Sequence, residues 1–360
     1  MLSRCLVVIL ALFFSCSSVS HAESLLDLSK GLNIDVNEIS VSGVSSGAYM
    51  ALQMQVAYSK RIKGAGIIAG GPYRCAAAKY VSRWFDPAGM YTMLSVCTHA
   101  NPLTWWRREL KPDVHFSIRE TERLAAAKLI DDPANLAKHK VWMLSGAKDL
   151  LVPIAVMDTL QTYYQHFMPA THIAYVKSSK ASHGMVTESQ GGSCSISLPP
   201  FINDCDFDAA GALFTQIYGA LQVKTAARPA NLHTFNQQAF FDVADKSISL
   251  HENAHIYLPE ACQRGQRCRL HIAFHGCMQS EDMVGDAFYQ QAGYNEWAET
   301  NRIVVLYPQI KTWGGNNFAL DAQRNLQACW DWWGYSGEHY ADKQGKQISA
   351  IDKMIKVLVH

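Results

Sequence analysis

The pentapeptide Gly43-Val44-Ser45-Ser46-Gly47 constrains this chain more than any other stretch, because it sets a small nucleophilic residue between two glycines where a strand gives way to a helix. Upstream, Glu38-Ile39-Ser40-Val41-Ser42 is β-prone; downstream, residues 48–58 are rich in Ala, Met, Leu and Gln without a breaker, long enough for about three helical turns. A turn this sharp puts its apex residue in a strained backbone conformation, and side chains two positions to either side would collide with it. Glycine at 43 and 47 removes those side chains. The Ser45 hydroxyl then stands at a helix N-terminus, where free amides and the positive end of the helix dipole favour an oxyanion.

The partners of such a serine are sought further along the chain. Residues 64–69 read as a short buried strand closed by Gly70-Gly71-Pro72, and strand, helix, strand at this spacing points to a parallel sheet. The next strand, 140–146, runs into Asp149. An acid just past the carboxyl end of a parallel strand lies on the same rim as the elbow, so Asp149 is the expected triad acid. Asp131, Asp132, Asp204 and Asp206 lack that placement and read as helix caps or loop acids. A helix over 154–166 and a strand over 171–176 lead to Ser182-His183-Gly184. Of 14 histidines, His183 is the one that follows a strand in the order Ser, Asp, His of the α/β-hydrolase plan. Between these elements, 73–138 is irregular and aromatic, with Trp84, Trp105 and Trp106, then helical over 120–129; it is either a cap-like excursion or additional core helices.

A second motif points elsewhere. His251-Glu252-Asn253-Ala254-His255 matches H-E-x-x-H, in which two histidines one helical turn apart bind zinc and the glutamate activates water. Here it lies between 247–250 and 256–259, which read as strands or a hairpin. Residues four apart on a strand are ~13 Å apart and cannot share an ion. No metal and no cofactor is therefore expected.

The last third carries a strand at 270–274 ending in His275-Gly276-Cys277-Met278-Gln279. In ordinary α/β-hydrolases such an HG loop, whose amide completes the oxyanion hole, precedes the nucleophile. Here it follows the histidine, so a circular permutation is expected. A helix over 286–300, a strand over 303–307, Cys329-Trp330-Asp331-Trp332-Trp333, and a final helix with Ile348, Ile351, Ile355 and Leu358 on one stripe complete the chain.

Residues 1–22 have the pattern of a secretory signal peptide: Arg4, an apolar run over 5–14, then Ser20-His21-Ala22. That run is too short to span a membrane, and no later stretch reaches ~18 uncharged apolar residues. Export to the periplasm or the extracellular space is expected, with 23–360 as a single catalytic domain. Beyond the leader, 31 basic residues balance 31 acidic ones, which argues against nucleic acid or anionic lipid as a partner. Eight cysteines then remain, enough for four disulfides among 105 pairings. Sequence proximity favours Cys75 with Cys97, Cys194 with Cys205 and Cys262 with Cys268, leaving Cys277 and Cys329 for each other.

Taken together, these motifs resemble the polyhydroxybutyrate (PHB) depolymerase family, in its short, single-domain, circularly permuted α/β-hydrolase form. The resemblance rests on the elbow, 146–153, 182–184, 275–279, and Cys329-Trp330-Asp331-Trp332 with Gly337-Glu338. It implies an α/β fold with a mostly parallel sheet flanked by helices, Ser45 as nucleophile, His183 as base and acid, Asp149 as its carboxylate, and the amides of Ser46 and Cys277 as oxyanion donors. Trp333-Gly334-Tyr335-Ser336 departs from the family's usual Phe-and-Pro run. Trp313, Phe318, Trp332, Trp333 and Tyr335 are candidate contacts to an apolar polyester surface. The implied activity is serine-dependent hydrolysis of poly(3-hydroxybutyrate) or its oligomers by a monomer. Esterases acting on small, lipid or plant cell-wall esters, and a secreted binding protein with a dead site, are the alternatives.

Overall fold

The strand feeding the elbow, β1 (Asn33–Val44), is longer than the run expected from sequence, and Ile39, Ser40, Val41 and Ser42 are all completely buried. A central parallel strand is buried this way when helices cover both faces of its sheet. The computed structural model describes residues 23–78, 90–103, 110–314 and 324–359. Residues 1–22, read above as a signal peptide, and Trp84, Trp105, Trp106 and Phe318 lie outside the described residues.

After β1 come β2 (Ile62–Ile68), β3 (Lys140–Gly146) and β4 (Ile173–Ser178), each parallel to the one before. A small second sheet holds β5 (Met185–Thr187), β6 (Gly192–Ser193) and β7 (Ile202–Asp204). The chain then adds β8 (Leu232–Asn236), β9 (Asn253–Tyr257), β10 (Arg267–Phe274) and β11 (Ile303–Tyr307) to the main sheet. Its eight strands run in the order β4-β3-β2-β1-β10-β11-β9-β8. Among the described residues, the only antiparallel pairings in this sheet are those of β9 with β11 and with the edge strand β8. The fold is thus α/β with a mostly parallel sheet, of the α/β-hydrolase type.

Register decides where chemistry can sit. Gly43 is level with Ile67 of β2 and with Phe274 of β10, and Gly146 of β3 is level with Ser178 of β4. The elbow, the 275–279 loop, the Asp149 turn and the His183 loop therefore leave the sheet at one rim, the carboxyl end of its strands. The elbow helix, Ser46–Ala57, is buried along its whole length, which explains its lack of a polar face. The last helix, Lys346–Leu358, does have an apolar stripe, and Ile348, Ile351, Ile355 and Leu358 are buried on it.

Three expectations are corrected. The helix over 286–300 is broken into Ala287–Gln291 and Tyr294–Asn301, because Gly293 between them takes φ +83°. The 247–250 segment is a tight turn: Asp245 accepts hydrogen bonds from both the Ser247 N–H and the Ser247 hydroxyl, a local alternative to strand pairing. The helix placed at 120–129 begins earlier, at Val114, where the Asp113 side chain caps it, and ends at Ala126. Within 73–138, Met93, Leu94, Thr98 and Ala100 line the pocket described below, whereas the helix Val114–Ala126 packs against Ile154–Phe167 at the side of the sheet.

Candidate active site

Ser45 sits between β1 and its helix with φ 56° and ψ −121°, a backbone conformation that side-chain-bearing residues rarely adopt. The flanking glycines make the turn sterically possible. A Cβ on Gly43 would lie 2.2 Å from the Gly47 carbonyl oxygen, and one on Gly47 would lie 2.3 Å from the backbone oxygens of Phe274 and His275. The elbow therefore packs backbone to backbone against the end of β10. Ser46 opens the helix, so its N–H has no partner one turn earlier.

Asp149 and His183 are joined. His183 Nδ1 donates to Asp149 Oδ2 at 2.8 Å, and the other carboxylate oxygen accepts from the N–H groups of Leu151 and Val152, each at 2.8 Å. Both side chains are buried, at 3% and 7% exposure. The His183 N–H donates to Ser197 Oγ, and the Ser182 N–H to the Cys194 carbonyl, while the Cys194–Cys205 disulfide ties this loop to the small sheet. Asp132 caps a short turn through the Ala134 N–H, and Asp131 accepts from the Lys60 N–H, so neither joins the site.

Ser45 and His183 line one pocket of about 630 Å³. Ser46, Gly276, Cys277 and Gln279 line it too, so the elbow helix and the HG loop face the same space. The disulfides are Cys75–Cys97, Cys194–Cys205, Cys262–Cys268 and Cys277–Cys329. The last joins two residues of the pocket wall, and beside it the Met278 N–H donates to the Gln327 carbonyl. If the Cys277 amide is an oxyanion donor, as expected from the sequence, it helps only when fixed, and the Cys277→Ser/Cys329→Ser double variant should lose about tenfold in kcat with little change in KM for a short ester. Steady-state kinetics check this, and an unchanged kcat would remove the bond from the argument.

The aromatic candidates separate. Trp332 and Trp333 line the pocket, and Trp332 stacks on Tyr49 of the elbow helix with ring centroids 4.3 Å apart. Tyr335 does not reach it. Its ring is buried and its hydroxyl is engaged with Gln347, Asn325 and the Cys329 carbonyl, so it is a strut rather than a substrate contact. Trp313 is half-buried and bonded across to Asn325, outside the pocket lining.

Asp331, at the centre of the Trp-rich segment, is buried and accepts five hydrogen bonds from the N–H groups of Trp333, Gly334, Tyr335 and Ser336 and from the Ser336 hydroxyl. Burial pushes its carboxyl above the ordinary value while these donors pull it down. It shapes the loop that presents Trp332 and Trp333. Tyr49, Met93 and Phe201 also line the pocket, and no sequence motif marks them. Tyr49 lies one helical turn after Ser45, and that spacing alone could have flagged it.

His251 and His255 lie elsewhere. His255 is on β9, with Nδ1 bonded to Thr234 and Nε2 to Glu281, while the nearest acids to His251 Nε2 are Asp282 and Glu252. Among the described residues no group of three or more His, Cys, Asp or Glu side chains is placed to hold a metal ion.

No family model matches the chain. It is 38% identical over 333 residues to the poly(3-hydroxybutyrate) depolymerase of Delftia acidovorans, a match covering 90% of this chain and 60% of that protein. It therefore spans about 60% of the length of that relative. It is 33% identical over 340 residues to the polyhydroxybutyrate depolymerase of Talaromyces funiculosus, covering 91% of each. The crystal structure of PHB depolymerase from Penicillium funiculosum superposes with a TM-score of 0.76 at 31% identity, covering 91% of this chain and 97% of that one. A PHB depolymerase with a serine-to-alanine substitution, complexed with an R3HB trimer, superposes with a TM-score of 0.77 at 32% identity and the same coverage. By identity and coverage along nearly its whole length, the chain belongs to the polyhydroxybutyrate depolymerase family.

Proposed function

We propose that this chain is an exported serine esterase that hydrolyses the ester bonds of poly(3-hydroxybutyrate) or its oligomers through an acyl-serine intermediate. The observation that carries the reading is the shared pocket: Ser45 on a strained elbow, with His183 held by Asp149. The solved relative in complex with an R3HB trimer supports the substrate.

The steps follow from the geometry. His183 Nδ1 is committed to Asp149, which leaves Nε2 to take the Ser45 proton as the oxygen attacks the ester carbonyl. The Ser46 and Cys277 amides receive the developing oxyanion. His183 then passes its proton to the leaving alcohol, and an acyl-Ser45 remains. Water deprotonated by His183 repeats the sequence and releases the acid. None of these steps calls on an ion, so chelator is expected to leave ester hydrolysis unchanged; inactivation by chelator reversed by zinc would overturn that expectation.

For an insoluble polyester the protein must also lie on an apolar surface. Exposed aliphatic side chains occur in the segments that carry the site: Leu150 and Leu151 beside Asp149, Ile196 and Leu198 around the Ser197 that holds His183, and Leu326 in the pocket wall. These leucines and the isoleucine, with Trp333, form the proposed contact surface in place of Trp313 and Tyr335.

The leader-like residues 1–22 and four disulfides support export to the periplasm or beyond. No helix among the described residues is long and apolar enough to cross a membrane. The neighbour relation of β1 and β10 supports the permuted reading, since it sets the elbow strand beside one from the last third of the chain. Clearing of a poly(3-hydroxybutyrate) suspension tests the assignment. Hydrolysis of a short chromogenic ester without clearing would leave an esterase of another substrate class, and activity on neither would leave a binding protein.

A further inference from the structure

Methionine sulfur is the readiest oxidisable group left in this chain, because its thiols are spent. Eight of the ten cysteines form the four disulfides, and the other two, Cys5 and Cys16, lie within residues 1–22. Among the methionine side chains described, all are buried to 8% exposure or less except Met278 and Met283. Met283 is 40% exposed on the short helix Glu281–Val284, outside the pocket lining. Met278 is half-buried and lines the pocket that holds Ser45 and His183, and the mechanism above does not use it.

The backbone of Met278 is fixed. Its φ is 59°, in the left-handed region that side-chain-bearing residues rarely adopt. Its N–H donates to the Gln327 carbonyl at 2.7 Å, and the residue before it is joined to Cys329. The loop therefore cannot turn this residue out of the wall without breaking those ties. Phe201, Leu326 and Trp333 line the same pocket, so the thioether is one apolar group among others there. An exported protein also leaves the reducing cytosol, which removes the protection such a sulfur has inside the cell.

We propose that Met278 is an oxidative modification site in the pocket wall, at which peroxide converts the thioether to a sulfoxide and lowers the protein's affinity for apolar esters. The proposal rests on the reading of this pocket as the site of ester cleavage. In the chemical step a lone pair on sulfur attacks one oxygen of hydrogen peroxide and the O–O bond breaks. The departing hydroxide takes the proton of the transferred oxygen and leaves as water. Sulfur is oxidised by two electrons and peroxide is reduced by two. The product carries a strong hydrogen-bond acceptor where an apolar group stood, and a substrate chain must cover it. Restoring the thioether takes two electrons from a dithiol through a methionine sulfoxide reductase.

The test treats the purified protein with hydrogen peroxide at several doses, locates sulfoxides by peptide mass spectrometry, and follows p-nitrophenyl butyrate hydrolysis at each dose. Met278 and Met283 should be oxidised before any other described methionine. Activity at low ester concentration should fall in proportion to the Met278 sulfoxide alone. Full conversion should raise KM roughly tenfold and change kcat by less than about threefold, the signature of a polar group desolvated by the bound ester. Met278→Leu, scored against its own untreated rate, should keep its activity at the same doses, whereas Met283→Leu should lose it as the wild type does. Met278 remaining a thioether when Met283 is fully oxidised would overturn the proposal. So would Met278 sulfoxide with an unchanged KM, or equal losses in Met278→Leu and the wild type. The dose series needs only the wild-type protein, so it decides the matter even where Met278→Leu does not fold. A wild-type protein inactive on esters before peroxide is added would overturn the hydrolase reading and this proposal with it.

Discussion

Alanine at Ser45 is expected to lower turnover of a short-chain ester by ~10⁵- to 10⁶-fold, His183→Ala by a similar factor, and Asp149→Asn by ~10⁴-fold. In the proposed mechanism the three act as one unit: without Ser45 no acyl-enzyme would form, and without His183 its hydroxyl would keep its proton. In Asp149→Asn the ring of His183 loses the anionic partner, 2.8 Å away, that holds its proton on Nδ1. The effects should not add: the Ser45→Ala/His183→Ala double variant should be no slower than either single one. Far-UV circular dichroism and the melting temperature should stay near wild type, because the amide oxygen introduced by Asp149→Asn can still accept from the N–H groups of Leu151 and Val152. Near-normal kcat in Asp149→Asn would place the acid elsewhere on the rim.

The second large effect is on stability. Burial lowers His139 to about 4, His271 to about 3 and His275 to about 4, against an ordinary 6.5. The sign follows from which state binds protons first. In the unfolded chain these rings protonate near pH 6.5, while in the folded protein they stay neutral, so stability present above that pH is lost as pH falls. Each ring should remove on the order of 3 kcal/mol by pH 4, against a typical total of 5–15 kcal/mol. The slope should approach about 4 kcal/mol per pH unit where all three are engaged.

Geometry gives the same direction for two of the rings. His139 accepts at Nδ1 from Gln55 and donates at Nε2 to the Ser59 carbonyl, and His275 faces the Ile310 N–H; a second ring proton would meet a donor in each case. Burial lifts the carboxyls of Asp331 and Glu296, so their protonation has the opposite sign and offsets part of the loss. Denaturant melts between pH 7.5 and 4.5 measure the slope, and stability flat across that interval would show that the buried rings do not control it. His139→Gln should remove about one third of the slope.

The sequence by itself determined what depends on neighbours along the chain. The elbow is legible because only two absent Cβ atoms allow backbone-to-backbone packing around Ser45, and β3 and β11 are legible residue for residue because their apolar runs end at local breakers. Asp149 and His183 follow from their positions after strands, since register brings every carboxyl end of a parallel sheet to one rim.

What the sequence could not decide depends on residues far apart in the chain. Trp332 and Tyr335 read alike as aromatic neighbours, yet one stacks on Tyr49 at the pocket wall and the other is buried against Gln347 and Asn325. The break at Gly293 escapes a local reading because one glycine in a helical pattern costs only about 1 kcal/mol, so packing decides whether it interrupts. The bonds of His275 to Ile310, and of Gln279 to Pro200 and Phe201, span 35 to 79 residues. Nothing local marks such partners, because their hydrogen bonds exist only once the sheet has set its strands side by side.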